Sequence, residues 1–220
     1  MSAGLSSFWL KLIAVVAMVI DHVGMLLFSD SMMFRVIGRM SFPIFCFLIV
    51  EGFYHTSDVK KYMARLAIFA VLSEVPFNLL VSGNITDIRY QNVYFTLLIG
   101  LVTIYFINST CNYMLKSIIL VAGAVTATIL FTDYSFYGVI LIYVFYNLRE
   151  KRVLACLIMG CMSFLVSTIQ GAAILSTIPI LLYNGKKGPK CTSGKWWKYA
   201  FYSFYPIHLM VLYVIACGIG

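Results

Sequence analysis

Long apolar stretches separated by short polar breaks repeat along almost the whole chain. They fall at about residues 8–28, 33–53, 62–82, 92–108, 113–131, 134–148, 152–168, 170–184 and 198–217. No segment alternates strictly between apolar and polar positions, so strands are not predicted and the runs read as helices. A helix needs about 20 residues to cross the bilayer core. The sixth and eighth runs have about 15, or roughly 22 Å, so they either thin the membrane or shelter behind neighbours. The weakest breaks are at 132–134 and 168–170. If one of them fails, nine spans become eight and every later loop changes side. The predicted fold is all-α: a polytopic transmembrane helical bundle with a polar core, residues 1–220 forming a single integral membrane domain.

Composition narrows the class. Of the 220 residues, 62% are hydrophobic and 11% charged, and mean hydropathy is +0.94. A soluble domain carries about 25% charged residues, and a globule of this length cannot hide so much apolar surface. The net charge of +8 would suggest nucleic acid in a soluble protein. Here the positive-inside rule accounts for it, and no nucleic-acid partner is expected. With nine spans, thirteen of the sixteen Lys and Arg lie on one side, with the N-terminus and the loops near 54–65, 108–116, 149–152 and 184–198. Arg35, Arg39 and Arg89 lie on the other. That asymmetry predicts an N-terminus inside and a C-terminus outside. No cleavable signal is evident, and no internal repeat appears.

An ionisable group at the bilayer centre costs about 2.5–3.5 kcal/mol on insertion scales, so such residues pair, line a cavity or do chemistry. Asp21-His22 interrupts the first run past its midpoint. His22 suits a general base, with Asp21 either orienting the imidazole or pairing elsewhere, since neighbours diverge by about 100° around a helix. The bland alternative is a neutral His in a helix–helix hydrogen bond. Arg35 and Arg39 are four apart on one face. Arg39, the deeper, either holds a carboxylate or phosphate or pairs structurally with Asp21 or Glu74, whereas Arg35 is expected to snorkel to the interface. Ser73, Glu74 and Asn78 surround Pro76, and Glu74 and Asn78 share a face. Tyr205 and His208 share a face beside Pro206. Glu51 and His55, four apart at the inner end of the second run, read either as an interfacial pair or as residues of a ligand entry, and Asn92 and Asp133 as helix caps.

The loop Tyr183-Asn-Gly-Lys-Lys-Gly-Pro-Lys suits either positive-inside anchoring or an anionic cytoplasmic ligand such as a nucleotide diphosphate moiety; it is no Walker loop. The six cysteines form no zinc spacing and read as small buried hydrophobes. The three His match no metal motif, so no metal is expected.

The runs Ile20-Asp-His-Val-Gly24, Arg35-Val-Ile-Gly-Arg-Met-Ser-Phe-Pro-Ile-Phe45, Val50-Glu-Gly-Phe-Tyr-His-Thr56, Ser73-Glu-Val-Pro-Phe-Asn78, Gln91-Asn-Val-Tyr-Phe-Thr96, Leu182-Tyr-Asn-Gly-Lys-Lys-Gly188 and Tyr205-Pro-Ile-His-Leu209 resemble, in order, the TraX family. Asn78 stands where the family pattern has an Asp, so one charge is missing and that side chain offers no acid to a metal or a proton. The resemblance implies a multi-pass protein of the bacterial inner membrane. It also implies N-terminal acetylation of an F-type pilin, and is similar to polytopic acyltransferases that bring acetyl-CoA to a buried His. On that basis acetyl-CoA is the co-substrate and a peptide or other small acceptor the partner, besides the lipid bilayer. Lys186, Lys187 and Asn184 bind the acyl-CoA. His22, Asp21 and Glu74 are catalytic. Arg39, His208, Tyr205 and Asn78 hold the acceptor or the oxyanion. A small proton-coupled transporter using the same Asp, His and Glu residues is the alternative.

Overall fold

The computed structural model describes residues 4–28, 30–189 and 194–219. Among these no strand forms, and helices follow one another in nine runs. They are α1 (Ser7–Leu27), α2 (Met32–Gly38) continuing into α3 (Ser41–His55), α4 (Val59–Ser82), α5 (Val93–Asn108), α6 (Tyr113–Ile129), α7 (Ser135–Asn147), α8 (Arg152–Val166), α9 (Thr168–Gly171) with α10 (Thr177–Leu181), and α11 (Lys195–Ile219). Four stretches are long and apolar enough to cross a membrane: Ser7–Leu27, Met32–His55, Val59–Ser82 and Trp196–Gly218. The remaining five apolar helices are shorter. The regular structure of the described residues is therefore all-helical, with four helices of the length and apolar composition of membrane spans.

Two runs differ from the uninterrupted helices expected. The second breaks at Arg39–Met40, because Pro43 has no N–H to return to the carbonyl four residues earlier. The eighth is not one helix but α9, a 3-10 segment (Ala172–Ser176) and α10. The break before it falls at Ser167, whose backbone is extended and whose Oγ accepts from the Gln170 N–H at 3.0 Å. The break between α6 and α7 has no glycine or proline to mark it. Phe131, Tyr134 and Ser135 take left-handed φ values of 51°, 62° and 45°, which side chains with a Cβ resist. Gln91 holds this turn, donating to the Phe131 carbonyl at 3.0 Å and accepting from the Asp133 N–H at 2.8 Å. Before α4, Asp58 accepts from the Lys61 N–H at 2.9 Å. That bond, helped by the Lys61 ammonium, holds the Asp58 carboxyl below its usual range.

The chain divides into two compact units. The first comprises Met1–Leu48, Leu148–Phe201 and Ile215–Gly220, the second Ile49–Asn147 and Tyr202–Val214. In the first, Leu10, Ala14, Ile44, Met159 and Ile180 are fully buried. The Leu5 N–H donates to the Leu182 carbonyl at 2.8 Å and the Asn184 N–H to the Leu5 carbonyl at 2.9 Å. The start of α1 and the loop after α10 therefore lie at one end of this unit. In the second, α5 packs on α4, α6 and α7. Gly100 lets Ile142 approach its backbone, and Gly123 does the same for Thr103. The cysteines split: Cys46 and Cys156 are buried, but Cys111, in the loop between α5 and α6, and Cys161 and Cys217, on α8 and α11, are exposed. Cys191 lies outside the described residues.

Pro206, inside α11, leaves the Tyr202 carbonyl without its helical donor. The Tyr94 hydroxyl supplies one at 3.0 Å. Tyr94→Phe is therefore expected to destabilise the protein by about 1 kcal/mol, the scale of polar contacts between membrane helices. Pro206→Ala restores the N–H, so Tyr94→Phe should cost measurably less in that background. Unfolding midpoints of the four proteins in mixed micelles check this; equal costs in both backgrounds would refute the pairing.

Candidate functional site

In the first unit the site is built on α1 and the α2–α3 break. The Asp21 carboxylate accepts from Arg39 Nη2 at 3.0 and 2.9 Å, and Arg35 Nη1 lies 3.1 Å from its Oδ1. The Asp21 and Arg39 side chains are 15% and 14% exposed, so the pair is largely withdrawn from solvent. The four-residue spacing of the two arginines brings both guanidiniums to one carboxylate. Gly38 makes this possible, since a Cβ at that position would fall on the Asp21 side chain. Ser41 Oγ donates to the Ala14 carbonyl at 2.8 Å and fixes α3 against α1. Arg35 does not simply snorkel, as its position suggested; it shares Asp21. His22 follows Asp21 on α1 and is half-buried.

Gln170 completes the cluster. Its Oε1 accepts from Arg39 Nη1 in a long contact of 3.4 Å, and the residue is 5% exposed. Sequence reasoning passed over Gln170 as one polar residue in an apolar run. The signal was present: Ser167-Thr-Ile-Gln170 has the spacing of a capping box. Ser167 makes its half of that box, while the Gln170 side chain turns to Arg39 instead.

The lysine loop belongs to the same unit. Asn184 Nδ2 donates to the Gly4 carbonyl at 2.9 Å, and its Oδ1 accepts from the Lys186 N–H at 3.0 Å. The Ser7 N–H donates to the Lys186 carbonyl at 2.8 Å. Asn184 thus closes the loop onto the start of α1, while Lys186 and Lys187 are exposed. Gly185 and Gly188, with φ of 77° and 115°, let the chain turn there. Arg152 braces the loop from α8, donating to the Tyr183 carbonyl at 2.8 Å and lying over the Tyr183 and Phe47 rings. Lys190 lies outside the described residues.

The second unit holds the other residues singled out by sequence. Glu74 Oε1 accepts from the Asn92 N–H at 3.1 Å and from Asn92 Nδ2, whereas Asn78, one turn on, donates from Nδ2 to the Ile85 carbonyl at 3.4 Å. Asn92 is a cap, as expected, with its Oδ1 3.0 Å from the Tyr94 N–H. It is also a bridge that sequence missed, since Nδ2 reaches the Ala70 carbonyl at 2.8 Å. On α11, Tyr205 packs edge-on against Tyr94, with ring centroids 5.1 Å apart, and lies 5.5 Å from His208. His208 is buried and stacks on Phe204. Its Nδ1 meets the Phe204 carbonyl at 3.0 Å. A carbonyl only accepts, so Nδ1 carries the proton and Nε2 is the basic nitrogen.

Removing one partner of a buried ion pair strands the other, at a cost on the order of 3–5 kcal/mol. Asp21→Asn leaves two guanidiniums without their carboxylate, whereas Arg39→Gln leaves Asp21 with Arg35. Asp21→Asn is therefore expected to lower the unfolding midpoint in detergent more than Arg39→Gln. The reverse order would show that Asp21 does not hold the two arginines together.

Comparison with known proteins adds the family. A family model described as "TraX protein" matches residues 6–216. The chain is 32% identical, over 237 aligned positions, to a probable fimbrial assembly protein of Dichelobacter nodosus (FimC, serogroup H1), an alignment covering 94% of each chain. It is 31% identical over 101 positions to an uncharacterized protein of Rickettsia prowazekii (strain Madrid E), covering 46% of this chain and 37% of that one. No solved structure matches. The family match runs through both units and every cluster described above, and the chain belongs to the TraX family.

Proposed function

We propose that this protein is an acyltransferase embedded in the bacterial inner membrane, with its N-terminus inside. It moves an acetyl group from cytoplasmic acetyl-CoA to an acceptor at the outer side. The acceptor is an amine such as a peptide N-terminus, or a hydroxyl. The relative's name as a fimbrial assembly protein favours a peptide acceptor.

The layout of α1 carries this reading. One end of the helix is fastened to the lysine loop through Ser7 and Lys186. His22 follows fifteen residues later on the same unbroken helix, or about 22 Å at 1.5 Å per residue. The donor's thioester arm would extend along α1 across that distance. Lys186 and Lys187 hold the phosphates of the donor, on a loop that Asn184 shapes and Arg152 braces. The thioester then lies at the level of His22.

His22 accepts the proton of the attacking amine as the new C–N bond forms at the thioester carbonyl. The carbonyl π electrons move to oxygen, and Arg39 stabilises that oxyanion. The intermediate collapses, the C–S bond breaks, and the imidazolium returns its proton to the thiolate as free CoA thiol. Asp21 is engaged by two arginines, so its contribution is to aim Arg39 rather than to orient the imidazole. In the second unit, Glu74, held by Asn92, contributes a fixed carboxylate. His208, stacked on Phe204 and beside Tyr205, contributes an imidazole in the same unit.

Calorimetry with detergent-purified protein is expected to give micromolar acetyl-CoA binding. A Lys186→Ala/Lys187→Ala double variant should bind about tenfold more weakly, a loss of about 1.4 kcal/mol. His22→Ala should still bind, yet release CoA thiol at least about 100-fold more slowly with a peptide bearing a free N-terminus. No binding by stable wild-type protein would overturn the proposal. So would near-normal release by folded His22→Ala. Substrate flux without consumption of acyl-CoA would indicate a transporter instead.

A further inference from the structure

Lys11 stands in the second turn of α1, where an isolated ammonium would reach along the helix to water. Its Nζ instead lies over the Phe201 ring, 5.4 Å from the centroid. Phe201 belongs to an aromatic cluster that joins the first turns of α1 and α11 within the first unit. Its ring centroid is 6.1 Å from that of Phe8 and 6.5 Å from that of Trp197, and Phe8 and Trp197 are 6.0 Å apart. Lys198, three residues before Phe201, shares its face of α11, and it is the charge that acts on Lys11. Two cations thus converge on one ring. Among the described residues neither is within ion-pair distance of a carboxylate. Like charges so placed repel, and an anion between them removes that cost.

The surroundings select the anion. Lys198 is exposed and Lys11 half-buried, so the pair opens at the surface. Trp9, Leu12 and Val16 follow along α1 at three- and four-residue spacing and are exposed, as are Trp196 and Trp197 next to Lys198 in the chain. Trp is enriched where headgroups meet hydrocarbon, and basic pockets between membrane helices bind anionic headgroups. An apolar stripe leading away from the basic pair suits acyl chains, which a soluble ion lacks. We propose that Lys11 and Lys198 form a headgroup site for an anionic phospholipid, both ammonium groups closing on its phosphate while its chains run along Trp9, Leu12 and Val16. The site does not depend on acyl transfer, and no bond is made or broken at it.

The test titrates dioctanoyl phosphatidylglycerol into the full chain in neutral detergent micelles and follows the thermal midpoint. Dioctanoyl phosphatidylcholine and inorganic phosphate, at equal ionic strength, are run beside it. A ligand that binds only the folded state raises the midpoint in a saturable way. Wild type is expected to show that rise with phosphatidylglycerol alone. Lys11→Gln/Lys198→Gln should need about thirtyfold more of it, or about 2 kcal/mol for two lysines near an anionic surface. Lys60→Gln/Lys151→Gln removes as much charge at other exposed positions and should respond as wild type does. Lys198→Glu sets a carboxylate opposite Lys11. It should raise the midpoint of the lipid-free protein and abolish the response, and it carries the test if the double variant does not fold. The proposal is overturned if wild type gives no saturable rise, or if phosphatidylcholine or inorganic phosphate raises the midpoint equally. It is also overturned if the Lys11 and Lys198 variants respond as wild type does, or if the Lys60/Lys151 variant loses as much as they do.

Discussion

Inside an apolar bundle there is no water to satisfy a polar group, and much of this structure follows from that single constraint. Pro206 deprives the Tyr202 carbonyl of its helical donor, and the Tyr94 hydroxyl arrives in its place. Asn92 spends its side chain three ways, on the start of α5, on the Ala70 carbonyl and on Glu74. Ser41, Ser73 and Ser163 return their hydroxyls to carbonyls within the bundle. Each of these bonds ties an irregular or polar point of one helix to a defined place, so the same interactions that satisfy the backbone also fix the side chains of the clusters.

Charge obeys the same constraint with larger energies. Asp21, Arg35 and Arg39 form a local cluster whose geometry depends on a missing Cβ at Gly38. The lysine loop solves a different problem. It must keep Lys186 and Lys187 in water while its backbone is anchored, and it does so by bonding to Leu5, Ser7 and Gly4 and by stacking Arg152 on Tyr183. Fixed backbone with free ammonium groups is a sensible arrangement for a loop that meets an anion. The division of the polar residues between two compact units, with α3 and α11 supplying residues to both, gives each cluster its own supporting helices.

Helix positions were legible in the sequence because long apolar runs leave few alternatives, and the nine runs appear close to where hydropathy put them. The break between α6 and α7 was hard to see because its left-handed turn is made by Phe131, Tyr134 and Ser135, held by a partner some forty residues away. The 3-10 segment after Gln170 has no local marker either. At the sites, residue types were readable and partners were not. An Asp and two Arg in apolar runs announce a charge problem. Only the fold says that Asp21 answers both arginines, and that Asn92 rather than a cation meets Glu74. Gln170 was lost because an uncharged side chain raises little alarm in a hydropathy reading, although its cost when buried is real.

The pairing of α1 with α2 also bears on how the chain enters the membrane. Taken alone, α1 would carry a carboxylate into the lipid, at about 2.5–3.5 kcal/mol. The next segment would carry two guanidiniums. Only eighteen residues separate Asp21 from Arg39, and α1 and α2 pack directly on each other. The two helices leave the ribosome in succession, so the charges can meet before either is committed to lipid. The natural unit of insertion is then a helical hairpin with its charges already joined, and the order of synthesis becomes part of how a chain this rich in intramembrane charge reaches its fold.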